Sequence, residues 1–155
     1  MHDSVTVHMD ASADEVWALV SDVTRIGSYS PETFEAEWTG GATGPAVGAE
    51  FRGHVKRNGK GPTYWSPCKV THCEPGREFA FVVGPERRAV NTWRYVIEPA
   101  EGGGVDVTES FQLSDVLPLR IYWALLGWAR GKTNREGMRT TLERIKSEVE
   151  STDAA

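Results

Sequence analysis

Glu109 stands in the run Val105, Val107, Glu109, Phe111, Leu113. Residues two apart on a strand share a face, so this carboxyl is expected to point inward among apolar neighbours. A buried carboxylate is costly unless it is partnered or keeps its proton. Arg135, on the inward stripe of a C-terminal helical pattern, is the first candidate partner. Such a carboxyl can anchor a ligand hydroxyl or carbonyl, or act as a general acid or base. Two plainer readings stand beside these: a structural ion pair, or a strand bulge that turns Glu109 outward. Tyr95, Tyr122 and Trp93 each join a hydrogen-bonding tip to an apolar body. Phe51, Phe79, Phe81, Trp93, Tyr95 and Phe111 fall on one face of successive strand patterns. They line a ligand cavity if the sheet curves around a gap, and form packed core if it does not.

Other chemistry-bearing patterns fail on mechanics. Ser66 and Lys69 match a Ser-x-x-Lys motif, but positions three apart on a strand face opposite sides. The glycines and lysine of residues 127–133 resemble a phosphate loop one residue short, inside a helical pattern rather than after a strand. His72 and Cys68 would stand about 13 Å apart on one strand, too far to share a metal. No metal site is expected, and His54 reads as surface. Cys68 and Cys73, five apart on that strand, would lie about 16 Å apart, too far for a disulfide unless a bulge folds the chain.

These residues need elements to hold them. Val5, Val7 and Met9 alternate with polar residues as a first strand. Ser12 and Glu15 have the spacing of a capping box, and Val16, Leu19, Val20 and Val23 mark one face of the helix it starts. A second short helix or turn follows from Arg25 and stops at Ser30-Pro31. From Thr33 to Leu113 the period is two, with Phe34, Ala36 and Trp38 expected on one strand face. Asn58-Gly59, Glu74-Pro75-Gly76 and Gly102-Gly103-Gly104 punctuate it as turns. Consecutive strands joined by hairpins make an antiparallel meander. After Asp115 the period turns helical, and Met138, Leu142, Ile145 and Val149 form one apolar stripe. A bend is expected between Gly127 and Gly131, where glycine weakens a helix by about 1 kcal/mol per residue.

The chain has 155 residues, 39% hydrophobic and 25% charged, with a net charge of -5. That fits one domain over residues 1–150 with a frayed tail from 151 to 155. The negative balance argues against a nucleic-acid partner. The start of the chain lacks a secretion signal, and the longest apolar stretch falls short of the roughly 20 residues that cross a bilayer. With two unpaired cysteines, a cytoplasmic setting is expected.

Several local strings resemble one family when taken in order. They are Ser12-Ala13-Asp14-Glu15-Val16-Trp17, Gly48-Ala49-Glu50-Phe51-Arg52-Gly53, Glu74-Pro75-Gly76-Arg77-Glu78-Phe79, Trp93-Arg94-Tyr95 and Val107-Thr108-Glu109-Ser110. Across nearly the whole chain they resemble the polyketide cyclase/dehydrase branch of the START-like (SRPBCC) superfamily. The resemblance implies an α+β helix-grip fold: a curved antiparallel sheet of about six or seven strands around a long C-terminal helix, with two short helices after strand one. It implies a pocket between sheet and helix, with Tyr122 near its opening, and no cofactor.

One fold hosts many activities, so three readings follow. The first is binding or carriage of a small hydrophobic molecule, lipid-, polyketide- or isoprenoid-like. The second is an aromatase/cyclase, a lyase-type enzyme using Glu109, Tyr95 or Arg135 for proton transfer. The third rests on Leu117, Leu119, Ile121, Tyr122, Trp123, Leu125, Leu126 and Trp128, which encircle a helix. That surface fits a pocket lid, a homodimer contact or a transient membrane contact.

Overall fold

The computed structural model describes residues 2–85, 88–115 and 117–153; at 58, 117–120, 122–131, 152 and 153 it describes the backbone alone. Strand β1 (His2–Met9) alternates exposed and buried residues throughout. Helix α1 (Ala13–Ser21) opens on the expected capping box. Ser12 Oγ accepts from the Glu15 backbone N–H, and Glu15 Oε2 accepts from the Ser12 N–H at 2.9 Å. These bonds satisfy orphan donors of the first turn. A 3-10 turn at Val23–Arg25 leads into the single-turn α2 (Ile26–Tyr29), which ends before Pro31.

Six further strands follow: β2 (Thr33–Thr39), β3 (Glu50–Val55), β4 (Tyr64–Glu74), β5 (Glu78–Val83), β6 (Asn91–Pro99) and β7 (Val105–Leu113). The sheet order is β1-β7-β6-β5-β4-β3-β2, every neighbour antiparallel. The meander is therefore continuous, and β1 closes its far edge. The 37-residue α3 (Leu117–Asp153) lies in the concavity. Its Met138, Leu142, Ile145 and Val149 are all buried in the core, as the stripe requires. This is the helix-grip α+β fold.

One expectation for the long helix changes. α3 is uninterrupted between Gly127 and Gly131, because a helix this long absorbs a local glycine penalty of about 1 kcal/mol per residue. α3 ends at Asp153, with Ser151 Oγ donating to the Glu148 carbonyl at 2.8 Å.

Two bulges also alter which way side chains point. The pairing of β2 with β3 slips between Thr33 and Glu35, so Phe34 is 46% exposed and packs at a tilt against His54 instead of joining Ala36 and Trp38 inside. The pairing of β4 with β5 slips between Val70 and His72. One extra residue reverses the alternation beyond it, so Cys73 joins Cys68 and Val70 on the core side while His72 is exposed. Both cysteines remain free thiols.

Candidate functional site

The inner face of β6 and β7 is organised as cross-strand pairs. Tyr95 faces Glu109, Trp93 faces Phe111, and Asn91 faces Leu113. All six side chains border a cavity of about 770 Å³ between the sheet and α3. β3, β4 and β5 add Phe51, Cys68 and Phe81, and α3 adds Met138 and Thr141. The exposed residues Pro31, Arg57, Tyr64 and Val90 also border the cavity. Phe51 packs edge-on to Phe81 with ring centroids 5.1 Å apart, and Trp93 packs on Phe111 at 4.9 Å. These rings form a wall with a gap before them, because one helix cannot fill the hollow of a seven-stranded curved sheet.

Glu109 is 3% exposed and points inward, as its strand parity requires. Tyr95 Oη donates to Glu109 Oε1 at 2.9 Å, while Oε2 is buried with no hydrogen-bond partner. Burial pushes the carboxyl up to about 8, and the Tyr95 hydroxyl only partly opposes this. The group therefore holds its proton at neutral pH. Burial, reinforced by the charge Glu109 would carry, holds the Tyr95 and Tyr29 hydroxyls above their usual range. The Cys68 thiol is pushed up to about 12, again by burial, and is not a thiolate at neutral pH.

Two sequence-based expectations need correction. Arg135 does not reach Glu109. Its Nε donates to Asp3 Oδ2 at 3.0 Å, and its side chain is 66% exposed. Asp3 pairs with Phe111 across the β1 edge, so it meets Arg135 before any deeper carboxyl can. Phe79 is buried but does not border the cavity; it packs edge-on against Trp17 of α1 at 6.0 Å. α1 covers that end of the sheet, which turns this ring into core. Tyr122 lies outside the described residues, as do the side chains of the 117–128 surface other than Ile121, which is exposed.

Two polar residues escaped the sequence reading. Asn91 begins β6 and shares its parity with Trp93 and Tyr95, which is the signal that could have found it. Its Oδ1 is buried and without a partner. Tyr29, fully buried at the end of α2, had no periodic signal to reveal it.

Among the described residues, no three His, Cys, Asp or Glu side chains converge as metal ligands would, and no helix is long and apolar enough to cross a membrane.

The family model for polyketide cyclase / dehydrase and lipid transport proteins matches residues 2–150. The chain belongs to this family. Solved structures of similar shape include a START superfamily protein from Mycobacterium smegmatis, 17% identical, with a TM-score of 0.74 over 97% of this chain and 98% of that one. A polyketide-cyclase-like protein from Corynebacterium glutamicum is 27% identical, with a TM-score of 0.61 over 96% of this chain and 91% of that one. An AHSA1-like protein from Aeromonas hydrophila is 19% identical, with a TM-score of 0.59 over 100% of this chain and 96% of that one. No curated protein matches the chain by sequence. Family membership accounts for the gripped helix and the hollow sheet.

Proposed function

We propose that the protein binds and carries a small, mainly apolar molecule in the cavity, oriented by the Glu109–Tyr95 pair. The single observation behind this reading is a hollow of about 770 Å³ with aromatic walls and a buried carboxyl whose second oxygen is unpartnered. Drug-sized ligands occupy cavities of roughly 300–1,000 Å³ that are mostly apolar with few polar groups. Burial of apolar surface supplies the affinity, about 25 cal/mol per Å² before ordering costs, and the polar pair sets orientation.

Native mass spectrometry of protein purified from its own host tests the idea, together with a variant that fills the hollow. Ser66 borders the cavity from β4. Ser66→Phe is expected to expel a co-purifying small molecule and to abolish uptake of a fluorescent apolar dye while the fold persists. Protein that carries nothing, and dye uptake unchanged by Ser66→Phe, would sink the proposal.

The Glu109 carboxyl also favours a second reading, catalysis by proton transfer, because a group titrating at about 8 is matched to neutral conditions. On that reading, Glu109→Gln leaves a polyketone bound but unconverted; unchanged turnover would exclude it.

A further inference from the structure

Charge is unevenly spread along the chain. From Phe51 to Cys73 stand five Lys or Arg residues and no Asp or Glu, in a chain whose net charge is -5. β3 and β4 form a hairpin from this segment, and its cations fall into two groups. Those on the strands are paired: Arg52 Nε donates to Glu37 Oε1 at 2.6 Å, and Lys69 Nζ lies 3.6 Å from Glu50 Oε1. Lys56, Arg57 and Lys60, in the connection between the strands, are exposed. Among the described residues, no carboxylate forms an ion pair with these three.

The connection projects from the sheet. Residues 56–57 and 59–65 are all exposed, and a Cβ at Gly59 or Gly61 would meet nothing within 4 Å among the described residues. Aromatic rings gather at its base. Tyr64 and Trp65 open β4 at 44% and 38% exposure, on opposite sides of the strand. Trp65 is held in place: the His54 ring stacks on it at 4.4 Å, and the Arg52 guanidinium lies 4.4 Å from its ring centre. Phe34 of β2 packs against the same His54. Unpaired cations alone would suit any polyanion, but cations beside ordered, exposed Trp and Tyr suit the boundary of a bilayer. There amphipathic rings sit at headgroup level while Lys and Arg meet anionic lipid. A projecting tip falls short of the roughly 800 Å² per partner that a stable protein interface buries, whereas lipid headgroups rearrange around it.

We infer that the β3–β4 hairpin docks the protein on an anionic lipid surface, with Lys56, Arg57 and Lys60 against the headgroups and Trp65 at their depth. Arg57, Gly59 and Tyr64 also border the cavity, so docking turns that border toward the lipid. Docking of this kind needs no cargo and stands apart from the carrier reading.

Co-sedimentation with vesicles tests it, using phosphatidylcholine alone in one set and equal parts phosphatidylcholine and phosphatidylserine in the other. The protein is expected to pellet with the anionic set only, and less so as salt is raised. Lys56→Gln and Lys60→Gln are each expected to weaken that partition about fivefold, while uptake of an apolar dye stays as in the wild-type protein. Tryptophan emission is expected to move to shorter wavelength when anionic vesicles are added, and Trp65→Phe to remove most of that shift. No pelleting with anionic vesicles, equal pelleting with both sets, or pelleting undiminished in both lysine variants overturns the inference. An emission shift undiminished in Trp65→Phe places another tryptophan in the lipid and overturns it as well. Binding to polyaspartate but to neither vesicle set also overturns it, in favour of an acidic protein partner. The lysine variants lie in an exposed connection and decide by themselves if Trp65→Phe fails to fold.

Discussion

At Glu109 the folded chain moves a carboxyl from 4.5 to about 8, chiefly by taking it out of water. Tyr95 supplies one hydrogen bond but no positive charge, so the neutral form wins. A proton held more tightly in the fold than in the unfolded chain stabilises the fold at low pH. That contribution is complete below about 4.5 and disappears as pH rises through about 8, at on the order of 1.4 kcal/mol per pH unit between them. Glu109→Gln keeps the shape and a donor but cannot ionise. Its unfolding free energy is expected to gain on that of the wild-type protein from pH 5 to pH 8 and to run parallel above. Urea denaturation at several pH values checks this, and parallel curves across the whole range would refute a proton-holding Glu109. The inward direction of Glu109 was legible because strand parity needs only local alternation. Its partner was not, because Arg135 had been placed by extending a helical stripe without knowledge of Asp3 on the edge strand.

Among the elements, α2 sits close against the backbone of β2. A Cβ at Gly27 would lie 2.1 Å from the Phe34 carbonyl oxygen of β2, so only glycine allows this approach. The same contact sits beside the slip in the β2–β3 pairing and holds Ile26, at the cavity edge, in place. Gly27→Ala must push α2 away from backbone that cannot yield. A loss of about 1–3 kcal/mol in unfolding free energy is expected, with weaker uptake of an apolar dye. Unchanged stability by thermal denaturation would contradict this seating. Strand order, turns and the capping box could be read from period and turn chemistry. The two bulges could not, and with them went the placements of Phe34 and Cys73, since a single added residue reverses every side chain beyond it.

For the molecule as a whole, the long helix is buried in the core at Leu142, Ile145 and Val149 and borders a hollow with residues between 133 and 141. Leu142 is fully buried away from the cavity, whereas Met138 borders it. Leu142→Ala is expected to lower unfolding free energy by about 2–5 kcal/mol, the cost of a new cavity in closed packing. A bound ligand acts in the other direction, adding about 2.7 kcal/mol when present at a hundred times its dissociation constant. Denaturant titration of Leu142→Ala with and without ligand is expected to show the two effects adding, because Leu142 does not itself border the cavity. Full loss of ligand binding in Leu142→Ala would mean that the two halves of α3 are not independent.

The order of elements, the meander and the inward carboxyl were settled by the sequence alone. Each follows from periodicity or turn chemistry acting over a few residues. Tertiary structure decided the rest: that Asp3 captures Arg135, that α1 makes core of Phe79, and that Asn91 and Glu109 each bury an oxygen without a partner. Those outcomes depend on which distant elements arrive first at a given side chain. Chain-local patterns carry no such information, because contact across a sheet is fixed by curvature and register rather than by spacing along the chain.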